Sequence, residues 1–477
     1  MFAATTSVAL VGGDARQVEV EAHVGRQKDL FKLSGLPDTA VREAKDRVRA
    51  AVVSSGVDFP NRTVTVNLAP ADLPKGGTDY DLPIALAVLA ASREIPSVRG
   101  AIVVGELALD GSVRAGAATL GAGVLSSRSG LPCVVAREAA PEVAAVPGAT
   151  AHGVATLAEA VEVFRTGFHG LTPARAMPGN GSLPVGDMSE IRGQQLGRRA
   201  LEVAAAGGHH VLFHGPPGGG KTMLARRLPG ILPPLSDAEA VEVALVYAAA
   251  GLRRGVIRDR PFRSPHHTAS RAALVGGGSP VPVPGEASLA HRGVLFLDEL
   301  AEFPRSHLDT LRQPLEDGMV TVARRGISVE FPSSFHLVAA TNPCPCGFHG
   351  DHRRSCECRP AVLSRYRLRV SGPLLDRLDL VVKVGRLEAQ ELSGPAPESS
   401  ASVRERVVKA VELRSQRGEE ATKTAVEMIK RALAAGLVTA RGAARVRRVA
   451  GTIADLAQAD VVDEEHVAEA LALRGEW

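Results

Sequence analysis

The sequence predicts an α/β protein: a parallel sheet covered by helices in the middle of the chain, an α+β region before it and a helical region after it. Three observations carry this. A short apolar strand, Val211-Leu-Phe213, runs into a glycine-rich loop and then a helix. A second apolar strand, Val294-Leu-Phe-Leu297, ends on the carboxylates Asp298 and Glu299. Two stretches rich in proline, glycine or serine, residues 166–186 and 393–402, interrupt the hydrophobic pattern and divide the 477 residues into three parts.

Residues 1–165 alternate short strands and helices. Val64-Thr-Val-Asn-Leu68 alternates as a half-buried strand, and Val41, Ala44, Val48 and Ala51 share one helical face. Ile102-Val-Val104 and Cys133-Val-Val135 read as short buried strands. Residues 166–186 are a linker. Residues 187–392 alternate helices and strands and hold every strong motif. Residues 393–477 read as helix, with Val403, Val407 and Val411 four apart and Val446, Val449 and Ile453 continuing the pattern.

The central motif is Gly215-Pro216-Pro217-Gly218-Gly219-Gly220-Lys221-Thr222, between a strand and a helix. Its glycines let backbone N–H groups converge on phosphate oxygens, and the helix N-terminus adds partial positive charge. Lys221 is expected to reach the β- and γ-phosphates of ATP, and Thr222 to ligate Mg²⁺. Upstream, Ile191, Gly193 and Gln194 precede a helix; in the AAA+ proteins that this motif resembles, the corresponding segment lies near the adenine. Asp298, at the tip of its strand, fits a second Mg²⁺ ligand; Glu299 fits the group that polarises the attacking water. Phe335-His-Leu-Val-Ala-Ala-Thr-Asn342 is another strand ending in a polar residue, and Asn342 is expected at the γ-phosphate or the lytic water. Arg377 fits an arginine finger for a neighbouring subunit, against rivals Arg365 and Arg367 and against a simple ion pair with Asp376 or Asp379. Arg441, opening a late helix, fits a second sensor of nucleotide state.

Residues 318–331 read as a β-hairpin with Arg324-Arg325-Gly326 at its turn. Arginines there suit sequence-independent, salt-sensitive contacts with phosphates, and a solvated hairpin tip is the alternative. His266 and His267 lack a third metal ligand nearby, so a structural or pore-loop role is expected of them. Cys344-Pro-Cys346 and Cys356-Glu-Cys358 bracket nine residues. Four thiolates suit Zn²⁺, but the usual spacing is C-x₂-C, which leaves a reduced, metal-free loop as the alternative.

Composition limits the rest. The formal net charge is +4, so nucleic-acid contact must come from local basic patches. Five cysteines, four of them bunched, do not form a secreted disulfide framework. No run of ~18 apolar residues predicts a membrane span, and the N-terminus is a poor signal peptide, so the chain is read as cytoplasmic.

These motifs together resemble the ComM/YifB family, magnesium-chelatase-like AAA+ ATPases. The likeness rests on Arg263-Ser-Pro-His-His-Thr-Ala-Ser270, on Pro284-Gly-Glu-Ala-Ser-Leu-Ala-His-Arg-Gly293 before the acidic strand, on Leu311-Arg-Gln-Pro-Leu-Glu-Asp-Gly318, on Asn342-Pro-Cys-Pro-Cys-Gly347 and on Ser371-Gly-Pro-Leu-Leu-Asp-Arg377. Ser34-Gly-Leu-Pro37 and Val66-Asn-Leu-Ala-Pro-Ala-Asp-Leu-Pro-Lys75 extend it to the N-terminus. The resemblance implies an AAA+ P-loop core, a homo-oligomeric ring, a hexamer, working on single-stranded or branched DNA, as ComM-type branch-migration helicases do. A magnesium-chelatase motor subunit and a protein-remodelling ATPase are the alternatives. It also implies that residues 1–165 are a Lon-protease-like domain. There Asp81 falls where the nucleophilic serine should be, and Leu120 near where the lysine should be, so the domain is read as a non-proteolytic scaffold.

Overall fold

A computed structural model describes the chain apart from residues 26–29, 178–185, 253–254, 279–281, 325–326, 352, 388–390, 392–393, 395, 415–419 and 476–477, and the side chains of Arg324 and Ile327. Two sheets organise the described residues. The first is built from β1 (Phe2–Val11), β2 (Asp14–Val24), β3 (Phe31–Ser34), β4 (Val64–Ala69), β5 (Ile102–Val103), β8 (Cys133–Ala136) and β9 (Ala151–Val154). Its order is β3-β4-β2-β1-β5-β8-β9. A small pair, β6 (Glu106–Leu107) with β7 (Val113–Arg114), lies beside it. β1 and β2 form a long antiparallel hairpin in which Val11 faces Asp14. The β5-β8-β9 side is parallel. The helix Asp81–Ser92 packs on β1 and β2 and is buried along most of its length, from Leu82 through Leu89.

The second sheet is wholly parallel, with order β11-β12-β15-β10-β16: Phe262–Arg263, Val294–Leu297, His336–Thr341, Val211–His214 and Leu380–Lys383. All four residues of β12 are buried, and so are Val211, Leu212 and Phe213 of β10. These strands therefore carry no polar alternation, as expected of a sheet covered on both faces. β10 lies between β15 and β16, so the loop leaving it opens beside the carboxyl end of β15. In open α/β sheets, ligands enter at such carboxyl ends.

Between β12 and β15 the chain forms the antiparallel hairpin β13 (Met319–Arg324) and β14 (Ile327–Pro332). The hairpin therefore exists as its alternation predicts, while Arg325 and the Arg324 side chain lie outside the described residues. Val11 at the end of β1 packs into the same apolar cluster as Val329 and Phe331 of β14, which joins the first sheet to this hairpin. After β16 come the helices Ser400–Arg414, Lys423–Ala434, Ala440–Leu456 and Glu464–Ala472. Val403, Val407, Val446, Val449 and Ile453 are buried against the β10 side of the core, as their spacing predicts. Val411 differs: it is 40% exposed, because the apolar stripe of its helix drifts off the contact after two turns. Among the described residues no helix is long and apolar enough to cross a membrane.

Candidate nucleotide site

The loop after β10 is shaped for phosphate. Gly215 must be glycine: a Cβ there would lie 1.9 Å from the carbonyl oxygen of Val384. Close approach of two backbones fixes the loop's first turn. Gly220 then opens the helix Lys221–Ile231, whose first turn holds no acidic side chain, so its N–H groups face outward without an internal anion. The Lys221 ammonium donates to the carbonyls of Gly215 (2.7 Å) and Pro216 (2.9 Å) and to Asn342 Oδ1 (3.1 Å). Burial pushes its pKa down to about 8, with Asp298 partly opposing. A desolvated cation in this position gains from a bound anion.

The acids come next. Asp298 Oδ2 accepts from the Thr222 hydroxyl at 2.9 Å, and Asp298 Oδ1 from the backbone N–H of Glu299 at 2.9 Å. A hydroxyl and a carboxylate facing each other beside a phosphate cradle form an oxygen set that suits Mg²⁺. Glu299 has φ +52°, a left-handed conformation that costs a non-glycine residue ~1 kcal/mol and turns its side chain away from the line of β12. Its carboxylate lies 3.3 Å from His267 Nδ1. The His267 ring also packs on His266, centroids 4.1 Å apart, and edge-on to Phe303. His267 therefore touches the carboxylate expected to polarise water. Asn342, at the end of β15, meets Lys221 directly.

Gln194 contacts the loop from the other side. Its amide donates to the carbonyls of Gly219 (2.9 Å) and Gly385 (2.7 Å). Gly193 adjoins it, with Leu387 and Glu391 closest to where a Cβ would be. Ile191 is buried in the apolar core against this region rather than lining an open surface.

Arg377 lies elsewhere. It precedes β16, at the amino ends of the strands, where Asp379 N–H donates to the carbonyl of His210. The four residues of β16, ~13 Å at ~3.3 Å each, separate it from the phosphate loop of its own chain. Its guanidinium pairs with Glu316 and donates to the carbonyl of Pro373 at 2.5 Å. The simple pairs with Asp376 or Asp379 do not form. Asp379 instead accepts from Arg448 at 2.7 Å, and Asp376 lies 3.8 Å from Arg441. Arg441 thus joins Arg377 on this far edge and not its own Lys221. Arg365 and Arg367 are exposed on the helix Pro360–Arg367.

On helices beside the first sheet, Asp81 is buried and held bidentately by Arg47, at 2.7 and 3.0 Å, and Leu120 is buried. Neither position offers a nucleophile or a base. The cysteines do converge: Sγ atoms of Cys344, Cys346, Cys356 and Cys358 all lie within 4.8 Å of one another.

The His267–Glu299 contact was the least legible in sequence, because the two residues lie 32 positions apart in the chain. The available signal was the place of His267 just after β11, which pairs with β12 and so carries the next residues toward the acidic tip.

A family model described as magnesium chelatase, subunit ChlI, matches residues 187–392; models of subunit ChlI of Mg-chelatase and of its C-terminal part match 18–138 and 397–474. The chain is 41% identical over 488 residues to the uncharacterized protein YifB of Salmonella typhimurium, covering 98% of this chain and 96% of that one. It is 41% identical over 496 residues to competence protein ComM of Haemophilus influenzae, with the same coverages. A shorter likeness, 31% over 185 residues, is to Lon protease 2 of Bacillus subtilis and covers 33% of this chain and 32% of that one. The family implies ATPase activity with ATP and Mg²⁺. The chain belongs to the ComM/YifB family of magnesium-chelatase-like AAA+ ATPases.

Proposed function

We propose that the protein is an ATP-driven ring motor, a hexamer, that translocates on DNA and promotes branch migration in recombination or transformation. One observation carries the motor half of this reading. Lys221, Thr222, Asp298, Glu299 and Asn342 meet at one end of the parallel sheet, while Arg377 and Arg441 share the other. A finger on the far edge acts on a neighbour's nucleotide, and the site is finished only in a closed ring.

In this reading Lys221 and the loop N–H groups bind the phosphates, and Thr222 and Asp298 would hold a Mg²⁺ ion, which when bound would supply charge neutralisation. Glu299 takes the proton of the attacking water, oriented by His267. Asn342 senses the γ-phosphate and, through its bond to Lys221, passes its presence along β15. Arg377 leaves Glu316 to reach the adjoining subunit, and Arg441 follows as a second sensor at the same joint. The support for DNA is the relative named as a competence protein, together with the Arg324-Arg325 pair at the tip of the hairpin that precedes the sensor strand. The N-terminal region, Lon-like in its motifs, serves as a non-proteolytic scaffold, since Asp81 is locked on Arg47.

The test is steady-state ATP turnover with and without single-stranded and branched DNA at two salt concentrations. Stimulation that fades at higher salt supports phosphate-tracking translocation. Turnover indifferent to every DNA, but raised by a porphyrin and a partner chelatase subunit, overturns the DNA reading.

A further inference from the structure

We propose that Cys344, Cys346, Cys356 and Cys358 bind one structural Zn²⁺, and that this ion clamps the loop following Asn342 onto the back of the phosphate-binding loop. The four sulfurs lie within 4.8 Å of one another, and three of them are spaced close to what a metal needs. Zn–S bonds of ~2.3 Å at tetrahedral angles hold sulfurs ~3.8 Å apart. Cys344 and Cys356 are 3.8 Å apart, Cys346 and Cys356 3.7 Å, and Cys344 and Cys346 3.3 Å. Those distances exceed an S–S bond of ~2.05 Å, so the cluster is not a disulfide.

The C-x-C spacing is accommodated locally. Gly347 N–H donates to the carbonyl of Cys344 at 2.9 Å, which closes a tight turn, and Gly347 has φ +84°. The backbone N–H of His349 points at Cys344 Sγ, 3.3 Å away, the kind of outer contact that offsets thiolate charge around a metal. Cys344 is buried and the other three are partly so, which leaves a path for the ion to enter.

The loop's surroundings give the ion a purpose. Gly347 sits so close to Pro217 that a Cβ would lie 2.7 Å from its ring. Asp351 is paired with Arg386 at 3.0 Å, and the Arg386 guanidinium lies over the Phe348 ring. Arg386 follows Gly385, whose carbonyl shares the Gln194 amide with Gly219 of the phosphate loop. The cysteine loop therefore touches the nucleotide loop directly at Pro217 and indirectly at Gly219. It begins two residues after Asn342. Without the ion, little apolar burial holds the nine residues between the cysteine pairs, because most of them are polar or glycine. With it, four sulfurs fix the loop, and the loop fixes Pro217 and Asn342.

The first readout needs no nucleotide, so it stands or falls apart from the proposed motor function. The full chain is purified under reducing conditions without chelator, its thiols are displaced by an organomercurial, and the released metal is read with a chromogenic chelator. One zinc per chain is expected, and cobalt put in its place gives the visible bands of tetrahedral thiolate coordination. A chain without bound metal, whose four thiols all react freely in the native state, overturns the site. The second readout tests the clamp and rests on the nucleotide reading. Cys356→Ser with Cys358→Ser should lose the metal and weaken fluorescent-nucleotide binding about tenfold, the scale seen when support around a site is lost. If that variant misfolds, stripping zinc from the native chain and restoring it gives the same comparison. Nucleotide affinity unchanged by removal of the zinc overturns the clamp.

Discussion

Two glycine-rich loops in this chain each carry a buried lysine and each lead into a helix, and they differ in one respect: what fills them. The central loop carries Lys221 into the helix Lys221–Ile231, and among the described residues no acid occupies its N–H groups. The N-terminal loop carries Lys75 through Gly76, Gly77 and Thr78 toward the helix Asp81–Ser92. There the N–H of Gly77 is already taken by Asp38 at 3.0 Å, and Lys75 Nζ turns back to the carbonyl of Pro70. Asp79 and Asp81 sit inside the turn, Asp79 accepting from Ala118 N–H at 3.2 Å and Asp81 bound by Arg47. One cradle is left open for an external anion; the other holds its own. Glycine and lysine alone therefore do not make a phosphate site. The loop's backbone N–H groups must also be left free of internal carboxylates.

The sharpest break of this contrast would come from Arg377→Ala, since in the proposed ring only the central loop draws on a second subunit. Turnover should fall by ~10³-fold or more, the scale of a lost arginine finger. Mixed with Glu299→Gln, which is itself crippled in turnover, it should recover partial activity in hybrid sites that pair an intact acid with an intact finger. Mixtures no more active than either parent would place Arg377 outside the neighbouring site. Next in size is the pair of lysines. Lys221→Ala should weaken nucleotide binding by about 3 kcal/mol, roughly a hundredfold, through loss of charge-assisted contacts. Lys75→Ala should leave nucleotide binding within about twofold of the native chain, because its loop faces no ligand. Equal losses in both titrations would erase the distinction.

Much of this was legible in the residues, and the part that was not has a physical reason. The strands β10, β12 and β15 announce themselves as apolar runs ending on polar groups, and the β13–β14 hairpin by its alternation. Local sequence carries those signals. The β1–β2 hairpin was harder: β1 is buried or half-buried on both faces, so its residues do not alternate. Strand order is not local at all. That β11 neighbours β12, and so delivers His267 to Glu299, follows from packing across the sheet. The convergence of Arg377 and Arg441 likewise depends on where the C-terminal helices dock.

The N-terminal cradle makes its own prediction, in stability rather than activity. Burial raises the Asp79 carboxyl from 3.8 to about 6, with the Ala118 N–H partly opposing. Its folded value lies above its unfolded one, so between pH ~4 and ~6 the unfolded chain ionises while the native one holds its proton. Stability is thus full below ~4, is lost as pH rises through ~6, and the loss totals up to ~3 kcal/mol at ~1.4 per unit. Asp79→Asn does not titrate. Its stability relative to the native chain should shift in its favour by up to ~3 kcal/mol between pH 4 and 6.5, read by hydrogen exchange of the helix Asp81–Ser92. A difference independent of pH would mean that Asp79 is not held protonated by its surroundings.

The smallest effect belongs to His267, and it bears on how the open cradle is used. His267 lies 3.3 Å from Glu299 and is kept there by Phe303 and His266. Glu299 has a left-handed backbone that its neighbours must sustain, and in the proposed mechanism the imidazole orients the carboxylate rather than binding the phosphates. His267→Ala should lower kcat by about tenfold, as a misplaced water would, and leave KM for ATP unchanged. Restoring a polar side chain with His267→Asn should recover part of kcat, because the contact asks for a donor at one oxygen. A rise in KM with kcat intact would assign His267 to nucleotide binding instead. In that case the far side of β12, and not only the loop after β10, would belong to the cradle.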